Sequence, residues 1–143
     1  METIKSVLVA CSIIVFCVVS LFPLSLSAEA LSLIHDGQSD YSIAVSSEAS
    51  PSEKFAAREL QRCIRASAGV LLPLIQSDLA KENMPLLLVG FSETATRLGI
   101  SESLEDVGDQ GFLFRSVPPH FFIGGSREAG TLYGVNAFLE EFL

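Results

Sequence analysis

From Phe122 to Leu143 the chain passes from an apolar, strand-like segment through Gly124 and Gly125, then through Gly130 into an amphipathic helix. A strand that hands over to a helix within a few residues forces that helix back onto a sheet, because neither apolar face can be left in water. The helix presents Leu132, Val135, Leu139 and Phe142 on one side, with Tyr133 and Phe138 widening the stripe. It ends without a C-terminal glycine, a cationic last turn or a polar tail. Gly125 to Thr131 spells G-x-x-x-x-G-T, a near miss for a phosphate-cradling loop that lacks the required Lys. The glycines are therefore read as permitting a tight turn and close packing of the helix on the sheet.

The same alternation runs upstream. Ser50-Pro51-Ser52-Glu53 carries a capping-box start with Pro at the first helical position, and Gly69 follows as a stop. Between them Ala56, Leu60, Cys63, Ile64 and Ser67, with Phe55 beside them, recur at helical spacing and define the expected buried stripe. Leu31 to His35 and Tyr41 to Val45 read as a hairpin across Asp36-Gly37-Gln38-Ser39-Asp40. Val70 to Ile75 and Leu86 to Val89 read as strands buried on both faces. A short helix is expected over Glu93 to Leu98, stopped by Gly99, and an acidic loop over Ser101 to Asp109. Gly111 to Val117 and His120 to Gly124 read as paired strands bent at Pro118-Pro119. The result is an α/β (α+β) layer structure: a mixed sheet of about six strands with two main helices packed on it.

Residues 1–30 differ in kind. Val7 to Phe22 is almost continuously apolar, Lys5 gives a basic start, and Ala28-Glu29-Ala30 has the small-x-small form of a processing site. They read as a signal peptide of an exported protein, and a membrane is a partner only if the segment is retained as an anchor. Without them 15 acidic and 8 basic side chains remain, a net charge of about −7. That excess argues against nucleic acid, which demands clustered cations. About 113 residues suffice for one domain but leave no room for a barrel of roughly 250. Cys11 and Cys17 leave with the signal, so Cys63 is alone, and neither a disulfide framework nor a four-ligand metal site is expected within one chain.

No constellation of catalytic residues emerges. His35 and His120 fall in separate hairpins with no H-E-x-x-H or comparable ligand pair, and each reads as a strand-end residue with a local hydrogen bond. Glu140 and Glu141 are adjacent on a helix and diverge by about 100°. Asp106 and Asp109 sit in a loop with nothing to raise a carboxyl pKa, so the two-carboxylate machinery of a glycosidase is missing. Lys54, Arg58, Arg62 and Arg65 line one helix face, read as solvated, with Glu59 paired to Arg62. Their functional reading is docking to an acidic surface or a uronic-acid glycan. Ser126 lacks a nucleophile's context, and Cys63 reads as a small core residue. No cofactor or metal is expected.

Several segments, in order, resemble the N-terminal α/β domain that precedes the catalytic barrel in glycoside hydrolase families 67 and 20 and in related uncharacterised bacterial proteins. They are Ala56-Ala57-Arg58-Glu59-Leu60-Gln61, Ala68-Gly69 with Leu72-Pro73-Leu74, Leu88-Val89-Gly90 and Gly111-Phe112-Leu113-Phe114-Arg115. The closing block, Gly130-Thr131-Leu132-Tyr133-Gly134-Val135 leading into Phe138-Leu139-Glu140-Glu141, completes the set. One departure stands out: Ala129 occupies the place where the family often has Arg, and Arg127 lies two residues earlier. The resemblance implies a non-catalytic accessory domain over residues 31–143 of an exported alpha-glucuronidase-like or hexosaminidase-like enzyme. Its partners would be a missing catalytic barrel or a polysaccharide. Arg127, Thr131, Tyr133, Phe138 and Phe142 would then be the interdomain or glycan contacts. A free-standing glycan-binding module is the alternative, weakened by the absence of Trp and the presence of only Tyr41 and Tyr133.

Overall fold

A computed structural model describes residues 32–81, 83–100, 107–126 and 129–143. Among them five strands form one sheet: β1 (Ser42–Val45), β2 (Leu74–Gln76), β3 (Leu86–Val89), β4 (Phe112–Val117) and β5 (His120–Gly125). Three helices accompany it: α1 (Pro51–Ala68), α2 (Glu93–Arg97) and α3 (Gly130–Phe142), with a single 3-10 turn at Ser77–Leu79. The sheet order is β2-β1-β3-β5-β4, with β4 antiparallel to β5 and every other neighbouring pair parallel. This is the expected mixed-sheet α/β architecture, with five strands rather than six.

Register puts the side chains in rows. Ile43, Leu87 and Phe121 align across three strands, as do Val45, Val89 and Ile123. These rows face α1 and α3, meeting Ala56, Ala57, Leu60, Ile64, Val135 and Phe138. The alternate row, Ala44, Leu88 and Phe122, faces Ala95 of α2 and Ile100. Helices on both faces account for the burial of every residue of β1 and β3.

Helix α1 starts and stops where its sequence says. Ser50 Oγ accepts from the Glu53 amide at 3.2 Å while Glu53 Oε2 accepts from the Ser50 amide at 2.8 Å, and Gly69 ends the helix in the left-handed region. The buried stripe is shifted, however. It runs through Glu53, Ala56, Ala57, Leu60 and Ile64, whereas Phe55 and Ser67 are exposed and Cys63 is only half-buried. The core-cysteine expectation is corrected: Cys63 lies within reach of Glu59 and Arg62 at the edge of the solvated face.

Two strand expectations also change. The hairpin over Leu31–His35 and Tyr41–Val45 does not form among the described residues: a lone bridge joins His35 to Gln38, and β1 is flanked by β2 and β3 instead. The run Val70–Ile75 contributes only its end, because Pro73 has no amide for a ladder. Its carbonyl still accepts from the Ile43 amide at 2.8 Å. The β4–β5 hairpin around Pro118-Pro119 and the short helix before Gly99 appear as expected. The segments at 1–31 and 101–106, with the signal-peptide and most of the acidic-loop expectations, lie outside the described residues.

Candidate functional site

The start of α3 is built by close backbone approach. A Cβ on Gly125 would overlap the Gly111 carbonyl and approach the Gly130 backbone at 2.7 Å; one on Gly130 would meet Gly111 again and Ser126 Oγ at 2.8 Å. The turn also consumes its own amides. Gly125 donates to Thr131 Oγ1 at 3.2 Å, Ser126 to the Gly111 carbonyl at 3.1 Å, and Gly130 to Ser126 Oγ at 3.1 Å. Ser126 in turn donates its hydroxyl to the Asp109 carbonyl. The glycines thus serve a tight junction between strand, helix and the loop before β4, as the packing reading requires.

Of the five contact residues suggested by the sequence, Arg127 lies outside the described residues. Thr131 and Phe138 are each only 1% exposed and belong to the interior, Thr131 through its bond to Gly125 and Phe138 through the aromatic core. Tyr133 and Phe142 do face outward, at 44% and 57% exposure. Phe142 caps a chain of rings: its centroid is 4.9 Å from Phe138 and 6.5 Å from Phe114, which in turn reaches Phe121 and Phe112. Phe142 and Leu143 also border an apolar hollow of about 260 Å³ with Leu33, Ile34 and Ile64. The apolar end of α3 is therefore divided, with Phe138 spent on this domain and Phe142, Leu143 and Tyr133 left partly in water.

On the opposite face of the sheet, three distant segments enclose a recess of about 440 Å³ lined by Asp78, Lys81, Leu86, Thr94, Arg97 and His120, among others. Arg97 Nη2 donates to Thr94 Oγ1 at 3.3 Å, and the Thr94 hydroxyl reaches the Ser77 carbonyl at 3.4 Å. Asp78 is held by Ser47 Oγ at 2.7 Å and Ser77 Oγ at 3.2 Å, and the Ser47 bond above all keeps its carboxyl below the usual aspartate range. His120 opens β5, and in place of the expected local hydrogen bond its Nδ1 is sealed from solvent with no partner among the described residues. Burial pushes its pKa below the ordinary value of 6.5. His35, by contrast, is exposed and lies 2.9 Å from Asp36. Sequence could not have assembled this recess, since Asp78, Arg97 and His120 come from separate segments with no shared spacing.

The cationic face of α1 is solvated: Lys54, Arg58, Arg62 and Arg65 are exposed, and Arg62 Nε donates to Glu59 at 3.0 Å as expected. That bond is the main reason the Glu59 carboxyl stays below its usual range. Glu140 and Glu141 are exposed on α3. Among the described residues no three His, Cys, Asp or Glu side chains are grouped so as to hold a metal ion.

Compared with known families, residues 32–138 match the model described as glycosyl hydrolase family 67 N-terminus. No curated protein is similar enough to the chain to count as a match.

Proposed function

The chain belongs to the family of glycosyl hydrolase family 67 N-terminal domains, and from that premise we propose that it is the non-catalytic accessory domain of an exported alpha-glucuronidase-like enzyme. The carrying observation is the extent of the match: it takes in all five strands, α1, α2 and α3 as far as Phe138. The export part rests on the apolar, processing-site-like character of residues 1–30. Family 67 favours a glucuronic-acid-releasing parent over a hexosaminidase-like one.

In this reading Tyr133, Phe142 and Leu143 meet the catalytic barrel, because they are the apolar residues that α3 leaves exposed. The test is to mix the purified chain with a separately produced family 67 catalytic barrel and measure co-elution and aryl glucuronide hydrolysis. The chain alone should give no turnover, should co-elute with the barrel, and should lose that co-elution when Tyr133 and Phe142 are changed to Ser. Turnover by the chain alone that vanished on changing one of its acidic residues would overturn the non-catalytic role. Binding to a polysaccharide without any affinity for the barrel would favour the free-standing module.

A further inference from the structure

The recess between the β2–β3 connection and α2 has a consistent chemistry. Lys81 and Arg97 bring hydrogen-bond donors, while Asp78, the one carboxylate lining it among the described residues, already accepts from the hydroxyls of Ser47 and Ser77. His120 is 9% exposed, and its inner Nδ1 has no partner among the described residues. A neutral imidazole carries one proton, and buried N–H groups without an acceptor are rarer than buried acceptors without a donor, so the proton is assigned to Nε2, the nitrogen that is not sealed. The imidazole thereby joins Lys81 and Arg97 as a donor. On a chain of net charge −8, such a donor-rich pocket selects an acceptor with negative charge. Its remaining wall is apolar: Ala80, Leu86 and Leu98. An inorganic anion would leave that wall in water, whereas a short carbon skeleton would cover it.

We infer that this recess binds a small organic carboxylate, its charge held by Lys81, Arg97 and His120 and its carbon chain laid against Leu86 and Leu98. The site lies on the sheet face opposite α1 and α3, and it stands or falls independently of the accessory-domain reading.

The chain has two histidines, which makes ring NMR a direct probe. The full chain with labelled histidine is titrated with butyrate, formate and inorganic phosphate. Butyrate should shift the His120 ring resonances saturably and leave those of exposed His35 in place. Formate, lacking the carbon chain, should bind at least about fivefold more weakly. Arg97→Gln should weaken butyrate about tenfold by removing a charged donor. Lys81→Gln, on an exposed coil residue, keeps the experiment decisive if the Arg97 variant does not fold. The inference is overturned if butyrate gives no saturable shift at His120, if both variants bind as the parent does, or if phosphate and formate bind as tightly as butyrate.

Discussion

Glu53, fully buried on the first turn of α1, accepts the backbone N–H of Phe91 through Oε1 at 2.9 Å, across 38 residues of chain. Its other oxygen closes the capping box on the Ser50 amide at 2.8 Å. One carboxylate thus fastens the start of α1 to the end of β3. Gly90 makes room for it: a Cβ there would overlap the Glu53 carboxyl group, and its φ of 73° is in the left-handed region.

Removing the carboxylate should therefore take away the acceptor that Glu53 offers to the Ser50 and Phe91 amides. Glu53→Ala is expected to destabilise the fold by about 2–4 kcal/mol in urea unfolding. Gly90→Ala should cost about 2–4 kcal/mol through strain and overlap. In the double variant the overlap is gone, so the two costs should fall short of additive by at least about 1 kcal/mol. Strict additivity would show that Gly90 is needed only for its backbone angle.

At the α3 junction, Gly130→Val drives a branched side chain into the Gly111 carbonyl and Ser126. The expected loss is about 1–3 kcal/mol. An unmoved urea midpoint would refute the close-packing account of this turn.

His120 predicts a pH dependence. Its folded pKa is depressed by desolvation, so the unfolded chain binds the proton more readily, and the stability present above about 6.5 is lost as pH falls through the folded value. The Glu59 and Asp78 carboxyls, both held low, titrate well below this window. Urea midpoints should drop between about pH 7.5 and about pH 5.5 in the parent and change less in His120→Gln. Equal slopes in the two proteins would remove His120 as the cause.

The exposed end of α3 should govern association. Phe142→Ser with Leu143→Lys should reduce self-association in sedimentation velocity, because both side chains are more than half exposed. The cost in stability should stay near about 1 kcal/mol, the scale of the ring contacts Phe142 makes with Phe138 and Phe114. A much larger loss would mean that these side chains hold the domain together rather than awaiting a partner surface.

Local signals were legible wherever a residue acts on its own neighbours. Ser50, Pro51, Glu53 and Gly69 specify α1 because caps and stops are short-range chemistry, and Pro118-Pro119 likewise marks the β4–β5 bend. Strand partners were not legible. The run Ser42–Val45 is buried on both faces and pairs with β2 and β3, neighbours that periodicity cannot name; a hairpin with Leu31–His35 fits the same letters. Cys63 was misplaced by one helical position, since a stripe read from spacing has soft edges while Leu60 and Ile64 set its true centre. Of the suggested contact surface, the exposed pair Tyr133 and Phe142 could be separated from buried Thr131 and Phe138 only once the sheet beneath α3 was in place.

The bond from Glu53 to Phe91 also dictates where this fold can absorb length. A residue added between Val45 and Ser50 would carry the carboxylate away from the Phe91 amide and open the space that Gly90 leaves for it. The connection from Ala80 to Met84, short of the Pro85 carbonyl that accepts from the Ser42 amide, bears only local backbone hydrogen bonds among the described residues, and extra residues there cost only slowly growing loop entropy. Insertions and deletions in relatives should therefore gather on the α2 side of the sheet, leaving the spacing from β1 to α1 fixed.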